Sequence, residues 1–332
     1  MNILTIDTGT TNTRVTAWQD GEAVALTSRP VGVRDTAITG STGKLEQALR
    51  DAIAGVLFAA GMSQSDIGPV LASGMITSNM GLCEIPHVPA PAGIDELAAA
   101  MREVRIEGVW HAPIAFVPGV RNAVGPIDLH NVEAMDMMRG EETEALALVE
   151  RLALTEPAVI ALPGSHSKFV SIDQEGRIDG CVTTLAGELL QVISHDTILA
   201  GSLKDGFATH IDAEMLRAGA ASAHRVGLGR TCFSVRILDQ FTGHDANARA
   251  NFLLGAVLAS DILTLKHSSA IRMHPGTRFV VSGKPILREA IARLVEDDGF
   301  FSGTLTVVGD DMQCDLAGAG AIAVARRRGL VA

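Results

Sequence analysis

Cysteine is scarce in this chain. Cys83, Cys181, Cys232 and Cys314 are scattered over 332 residues with no paired spacing, which excludes a disulfide framework and a zinc site and fits a reducing compartment. Basic residues are in deficit as well, 27 Lys and Arg against 38 Asp and Glu, for a net charge of −11. That field repels a polyphosphate surface, so nucleic acid is not expected as a partner. The one dense basic block, Arg326-Arg327-Arg328, reads as the cation-rich last turn of a helix, where positive charge suits the dipole. No apolar run reaches the ~20 residues that span a bilayer. The opening residues, Met1 to Asp7, read as a strand and not as a leader peptide. A cytoplasmic protein with no membrane partner is the expectation. Low-complexity segments and short repeats are missing.

Two nucleotide signatures are absent. The nearest approach to a Walker loop, Ser282-Gly283-Lys284-Pro285, lacks the first glycine and the terminal hydroxyl residue. Gly318-Ala319-Gly320 lacks the third glycine and downstream acid of a dinucleotide site.

What is present suits a compact protein of two domains, with 47% apolar and 20% charged residues. Boundaries are expected at 1–150 and 151–332, with the last helix able to cross back. Short apolar runs at Ile3–Asp7, from Arg14, and at Ala23–Leu26 are separated by tight polar turns, which predicts an antiparallel meander. Helical spacing follows over 42–60. Strands are expected at 70–72, 114–117 and 158–162, and a helix from Gly140 to about Leu152. The meander pattern then reappears about 155 residues later, over 158–183. Helices are expected over 186–203, 213–223 and 246–265, then strand 279–282, helix 285–295, strand 305–308 and helix 316–328. Strands alternating with helices, with hairpins opening each half, imply an α/β architecture with mixed sheets.

The turn Asp7-Thr8-Gly9-Thr10-Thr11-Asn12 carries chemistry. Glycine admits a phosphate to the backbone, threonine hydroxyls and turn amides donate to its oxygens, and Asp7 can hold hydrated magnesium. Gly164-Ser165-His166-Ser167-Lys168 is a second such turn in the other half. Two turns of this kind can grip one run of phosphates from both sides.

Several segments together resemble the 2-dehydro-3-deoxygalactonokinases of the actin, hexokinase and Hsp70 superfamily. They are 7–14 (DTGTTNTR), 74–79 (GMITSN), 118–121 (PGVR), 138–143 (MRGEET), 162–168 (LPGSHSK) and 187–189 (GEL). Thr8 stands where the pattern has an aromatic residue, and Ser165 where it has threonine; both keep the turn chemistry. The resemblance implies a two-lobed actin-like, ribonuclease H-like ATPase fold, with mixed sheets flanked by helices and the active site in the interlobe cleft. It implies ATP and Mg2+ as cofactors and a small sugar acid as the partner, in a monomer or homodimer. The activity implied is phosphoryl transfer to the primary hydroxyl of 2-dehydro-3-deoxygalactonate, or to another sugar or sugar acid. Gly9, Thr10, Thr11, Gly164, Ser165, His166 and Lys168 are then phosphate contacts, and Gly283 and Lys284 border the adenosine. The base is expected among Glu141, Glu142 and Asp136, with Glu141 preferred. Arg14, Arg121 and Arg139 are candidates for the substrate carboxylate. Asn12, Thr77, Ser78 and Asn79 are candidates for the sugar hydroxyls.

Overall fold

The computed structural model describes residues 1–204 and 206–331. The first meander is β1 (Asn2–Thr8), β2 (Thr13–Gln19) and β3 (Glu22–Arg29), followed by α1 (Val33–Thr39), α2 (Gly43–Ala60) and β4 (Ile67–Gly74). Next come β5 (Val88–Pro89), α3 (Ile94–Ala100), β6 (Arg102–Val104), β7 (Ile114–Phe116), β8 (Val120–Arg121), β9 (Met137–Met138) and α4 (Glu141–Arg151). The second meander is β10 (Ala158–Leu162), β11 (Ser167–Ile172) and β12 (Ile178–Thr184). It leads into α5 (Ala186–His195), α6 (Ala200–Leu203), α7 (Ala213–Val226), α8 (Leu228–Phe241) and α9 (Ala246–His267). The chain ends with β13 (Arg278–Val281), α10 (Pro285–Asp297), β14 (Leu305–Val307) and α11 (Leu316–Arg328).

These elements form two compact units. One comprises Met1–Glu156, Asp173–Gly180 and Cys314–Ala332; the other comprises Pro157–Ile172 and Cys181–Gln313. In the first, a six-stranded sheet runs β3-β2-β1-β4-β7-β6, with β1 antiparallel to β2 and parallel to β4. Leu4, Ile6 and Val15 on its strands meet Leu45, Leu49, Ile53 and Val56 of α2 in one core. The second unit holds the order β12-β11-β10-β13-β14, again with the first strand antiparallel to the second and parallel to the fourth. Setting aside the edge strand β6, both sheets follow one plan: third, second, first, fourth, fifth.

Apolar α9 is long enough to cross a bilayer by length and composition, which the sequence reading did not anticipate. It is mostly buried, with Leu253, Leu254, Val257 and Leu258 in the core of its unit, and it is a core helix. The single helix expected over 186–203 is broken. Thr197 Oγ1 donates back to Ile193 O and accepts from Leu199 N–H, a local side-chain bond that competes with the helical ladder. Helices α1, α3 and α8 were not anticipated. The first two start at Gly32 and Gly93, whose N–H groups donate to Asp35 and Glu96. The Arg326–Arg328 block is the last turn of α11, with Arg327 paired to Asp95.

Candidate active site

The first turn lies between β1 and β2 and is closed by Gly9 N–H donating to Asn12 O at 2.8 Å. The start of α1 braces it: Arg34 N–H donates to Thr10 O at 2.9 Å, and a Cβ on Gly32 would lie 2.5 Å from Gly9 O. Thr13 is buried and donates to Val31 O at 2.8 Å, pinning the exit of the turn. Thr10, Thr11 and Asn12 are exposed at the tip, with Asn12 Nδ2 donating to Thr11 Oγ1 at 2.9 Å. The tip is therefore rigid in backbone and open in its hydroxyls, as an oxyanion cradle requires.

Beneath the turn, Asp7 faces Arg14 across the β1–β2 register at 3.3 Å. Burial pushes the Asp7 carboxyl up, and Arg14 offsets only part of that. Gly74 comes against it from β4: its φ is +86°, and a Cβ would lie 2.6 Å from Thr8 O and 3.1 Å from Asp7 Oδ1. Gly140, with φ +116°, abuts Gly74 and starts α4.

The α4 carboxylates divide by helical geometry. Glu142 is fully buried and takes Gly140 N–H on both oxygens, at 2.9 and 2.8 Å, so it serves the helix start. Burial first, then the Glu141 carboxylate, push it well above the usual carboxylate range. Glu141 and Glu144 stand three residues apart and share the other face. Glu144 is pushed up to about 8 by burial first, then by the carboxylates of Asp7 and Glu141, with Arg14 opposing. Asp136 lies elsewhere, its carboxylate accepting Met137 N–H and its carbonyl accepting Asn122 N–H.

Glu144 holds its proton in the folded state far above the pH at which an unfolded glutamate loses it. Its favourable share of stability is complete below pH ~4.5 and is lost as pH rises through about 8. Glu144→Gln is expected to melt at the same temperature as the wild type near pH 5 and higher at pH 9, as calorimetry would show. An identical pH dependence in the two proteins would remove the burial argument.

The small sheet β5-β8-β9 joins two of the motif segments, 118–121 and 138–143. A Cβ on Gly119 would meet Met138 O at 2.4 Å, Arg139 Cγ at 2.7 Å and His87 Cδ2 at 2.9 Å. Arg139 donates to Thr77 Oγ1 and Ile85 O, both at 2.7 Å, and so ties 77–87 to the start of α4. Thr77 and Ser78 are buried and donate to Gly74 O and Met75 O, while Asn79 is exposed. Arg121 spends one N–H on Asn122 O.

In the other unit, the second turn links β10 to β11. Glu188 N–H donates to Ser165 O at 3.0 Å and the Glu188 carboxylate meets His166 Nε2 at 2.9 Å, so α5 holds the turn from one side. Gly164 and His166 are partly exposed and Ser165 is exposed. Lys168 is buried and donates to Thr183 Oγ1. Gly283, at φ +104°, packs on Pro163, with Cβ room ending 3.1 Å from Pro163 O. Gln313 accepts the Gly283 N–H and the Ser282 hydroxyl, and Lys284 is the N-cap before Pro285. The segment 282–285, expected to border the adenosine, and the second turn are therefore neighbours.

Gly187 must be glycine, because a Cβ there would lie 2.0 Å from Gly164 O and 2.7 Å from Ser165 Cα. Gly187→Ala is expected to cost ~1–3 kcal/mol of stability through overpacking, which denaturant unfolding checks; an unchanged unfolding midpoint would show that the turn yields to the added methyl.

No group of three or more metal-ligating side chains occurs among the described residues. Asp7 suits a magnesium ion that keeps most of its water, since such an ion needs only one or two carboxylates, and Glu144, protonated at neutral pH, stands beside it. Sequence reading missed Glu144. The signal was its three-residue spacing from Glu141 on a helix whose Glu142 points inward.

A single strand order used twice, with a glycine-hydroxyl bend leaving the first strand each time, defines the actin-like ATPase fold class. A profile described as 2-keto-3-deoxy-galactonokinase matches residues 7–314, and the chain belongs to that family. A 2-dehydro-3-deoxygalactonokinase of Escherichia coli K12 is 26% identical over 222 residues, 63% of this chain and 66% of the relative. A Rhizobium meliloti protein provisionally given the same name is 29% identical over 154 residues, 46% of this chain and 44% of its own length. The chain thus spans less than two thirds of these relatives. A crystal structure of a Sinorhizobium meliloti protein provisionally assigned as a 2-dehydro-3-deoxygalactonokinase has a TM-score of 0.73 at 22% identity. It covers 98% of this chain and 96% of the other, a likeness of fold.

Proposed function

We propose that the protein transfers the γ-phosphoryl group of ATP to the 6-hydroxyl of 2-dehydro-3-deoxy-D-galactonate, a step of galactonate catabolism. The observation that carries this reading is the recurrence of the rigid glycine-hydroxyl turn after the first strand of both sheets, in a chain of this family.

In this reading, Gly9, Thr10 and Thr11 of the first turn are phosphate contacts, and so are Gly164, Ser165 and His166 of the second, with Lys168 supporting the second turn. Gly283 and Lys284 border the adenosine. Asp7, with Glu144 beside it, would hold the hydration shell of a magnesium ion accompanying ATP, and that ion would neutralise phosphate charge. Phosphoryl transfer is mostly positioning and charge neutralisation. The acceptor O6 forms the new P–O bond as the bond to ADP breaks, and the hydroxyl proton passes to Glu141. Arg14 is held by Asp7 and Arg139 by Thr77 and Ile85, so Arg121 is the fork assigned to the substrate carboxylate. Asn12 and Asn79 present exposed amides to the sugar hydroxyls, while Thr77 and Ser78 shape the loop that carries Asn79. Such an enzyme draws on cytoplasmic ATP, as a monomer or homodimer.

The test is a panel of acceptors with γ-labelled ATP. Label should pass to 2-dehydro-3-deoxygalactonate in preference to stereoisomeric keto acids and neutral sugars. Transfer to neutral sugars alone would overturn the substrate, and ATP turnover without any acceptor would overturn the kinase.

A further inference from the structure

One buried acid has no place in the mechanism above. Asp261 lies on α9 and is 1% exposed, with Leu258, Ile262 and Leu265 of the same helix in the surrounding core. Two hydroxyls face its carboxyl, those of Ser167 and Thr184. Ser167 begins β11 directly after His166 and is itself 1% exposed. Thr184 ends β12, two residues before α5, the helix whose Gly187 and Glu188 touch the second turn. Asp261 thus stands between the chain leaving the turn and the chain entering the helix that braces it.

We propose that Asp261 is a positioning residue for the turn 164–166, its carboxyl joining Ser167 to Thr184 so that the turn and the start of α5 keep one spacing. The role in nucleotide binding rests on the kinase reading above.

Three observations support it. An aspartate inside an apolar helix is costly unless its hydrogen bonds are met, so a packing role alone would be better served by leucine. Asp261 Oδ2 and Thr184 Oγ1 are both buried without a hydrogen-bond partner. A proton on Oδ2 turns an orphan acceptor into a donor that the Thr184 oxygen can accept. Burial does push this carboxyl up to about 7, so the protonated form is available at neutral pH. The acid then accepts from Ser167 on one oxygen and donates to Thr184 from the other, a bridge that asparagine can copy and leucine cannot.

The experiment uses the full chain and three variants, reading the Kd of a non-hydrolysable ATP analogue, the KM for the sugar acid and the melting temperature. Asp261→Asn is expected to stay within about threefold of the wild type for the analogue, and Asp261→Leu to weaken it about tenfold, the value of one lost buried bridge. The sugar-acid KM should hold in both, and Asp261→Leu should melt no lower than the wild type. Ser167→Ala should repeat the loss seen for leucine. Wild-type analogue affinity in Asp261→Leu, or parallel losses for analogue and sugar acid, would overturn the proposal. If the leucine variant does not fold, Ser167→Ala decides alone: a loss confined to the analogue upholds the bridge, and wild-type affinity removes it. Analogue binding as expected, with no phosphoryl transfer to any sugar acid, would sink the kinase reading and leave Asp261 where it is.

Discussion

Glu141→Gln is expected to lower kcat by about 10²–10⁴-fold, the range a positioned general base supplies, with ATP affinity nearly unchanged. The expectation comes from how α4 begins. Gly140, at φ +116°, lets the chain turn directly into the helix, and Glu142 folds back onto the Gly140 N–H. That leaves Glu141 and Glu144 on the face toward Asp7. Glu144 keeps its proton up to about pH 8, so it is a poor acceptor at neutral pH, which leaves Glu141 as the proposed base on the helix. Glu142→Gln is expected to act differently, altering stability more than turnover, since its carboxyl is fully buried. Steady-state kinetics with ATP-analogue binding separate the two. If Glu141→Gln retains full turnover and Asp136→Asn loses it, the base moves to Asp136.

Asp7→Asn is expected to reduce kcat/KM by about 10²–10³-fold, and to shift the apparent affinity for magnesium more than that for the sugar acid, because the charge proposed to meet the hydrated ion is removed. The fold should survive. Burial already penalises the ionised Asp7, and Arg14 compensates across a partly exposed pair, so asparagine removes a strained charge as well as a partner. Melting temperature should hold or rise while activity falls, the opposite of a structural lesion. A magnesium titration read beside thermal unfolding checks this. Loss of activity in proportion to loss of fold would make Asp7 a turn-capping residue and nothing more.

Much of the scaffold was legible because it rests on local rules. The meander at each half shows in short apolar runs split by Gly-containing turns, and the repeat of that pattern foretold the repeated sheet order. The two glycine turns were legible as turns for the same reason: Gly9 and Gly164 stand with neighbouring hydroxyl residues between short apolar runs. Short helices were not. Both α1 and α3 start at glycine with the acid three residues on, a weaker signal than a hydroxyl cap. Thr197 breaks a helix through a bond that hydropathy does not register. The arginines show the larger limit. Arg14, Arg121 and Arg139 read alike in sequence, yet Arg14 meets Asp7, Arg139 clamps a loop more than fifty residues away in sequence, and Arg121 keeps most of its fork. Which cation is spent on structure depends on contacts across the fold. Glu144 was hidden likewise, since its raised affinity for protons comes first from burial and then from the carboxylate of Asp7, far away in sequence.

The most direct measurement is phosphorus NMR of one reaction, in which purified protein is given ATP and one equivalent of 2-dehydro-3-deoxy-D-galactonate. The predicted spectrum shows ADP and a new phosphomonoester coupled to the C6 protons in equal amounts, with no inorganic phosphate beyond the acceptor-free control. Inorganic phosphate in place of the ester, or an unchanged ATP spectrum from folded protein, would contradict the account.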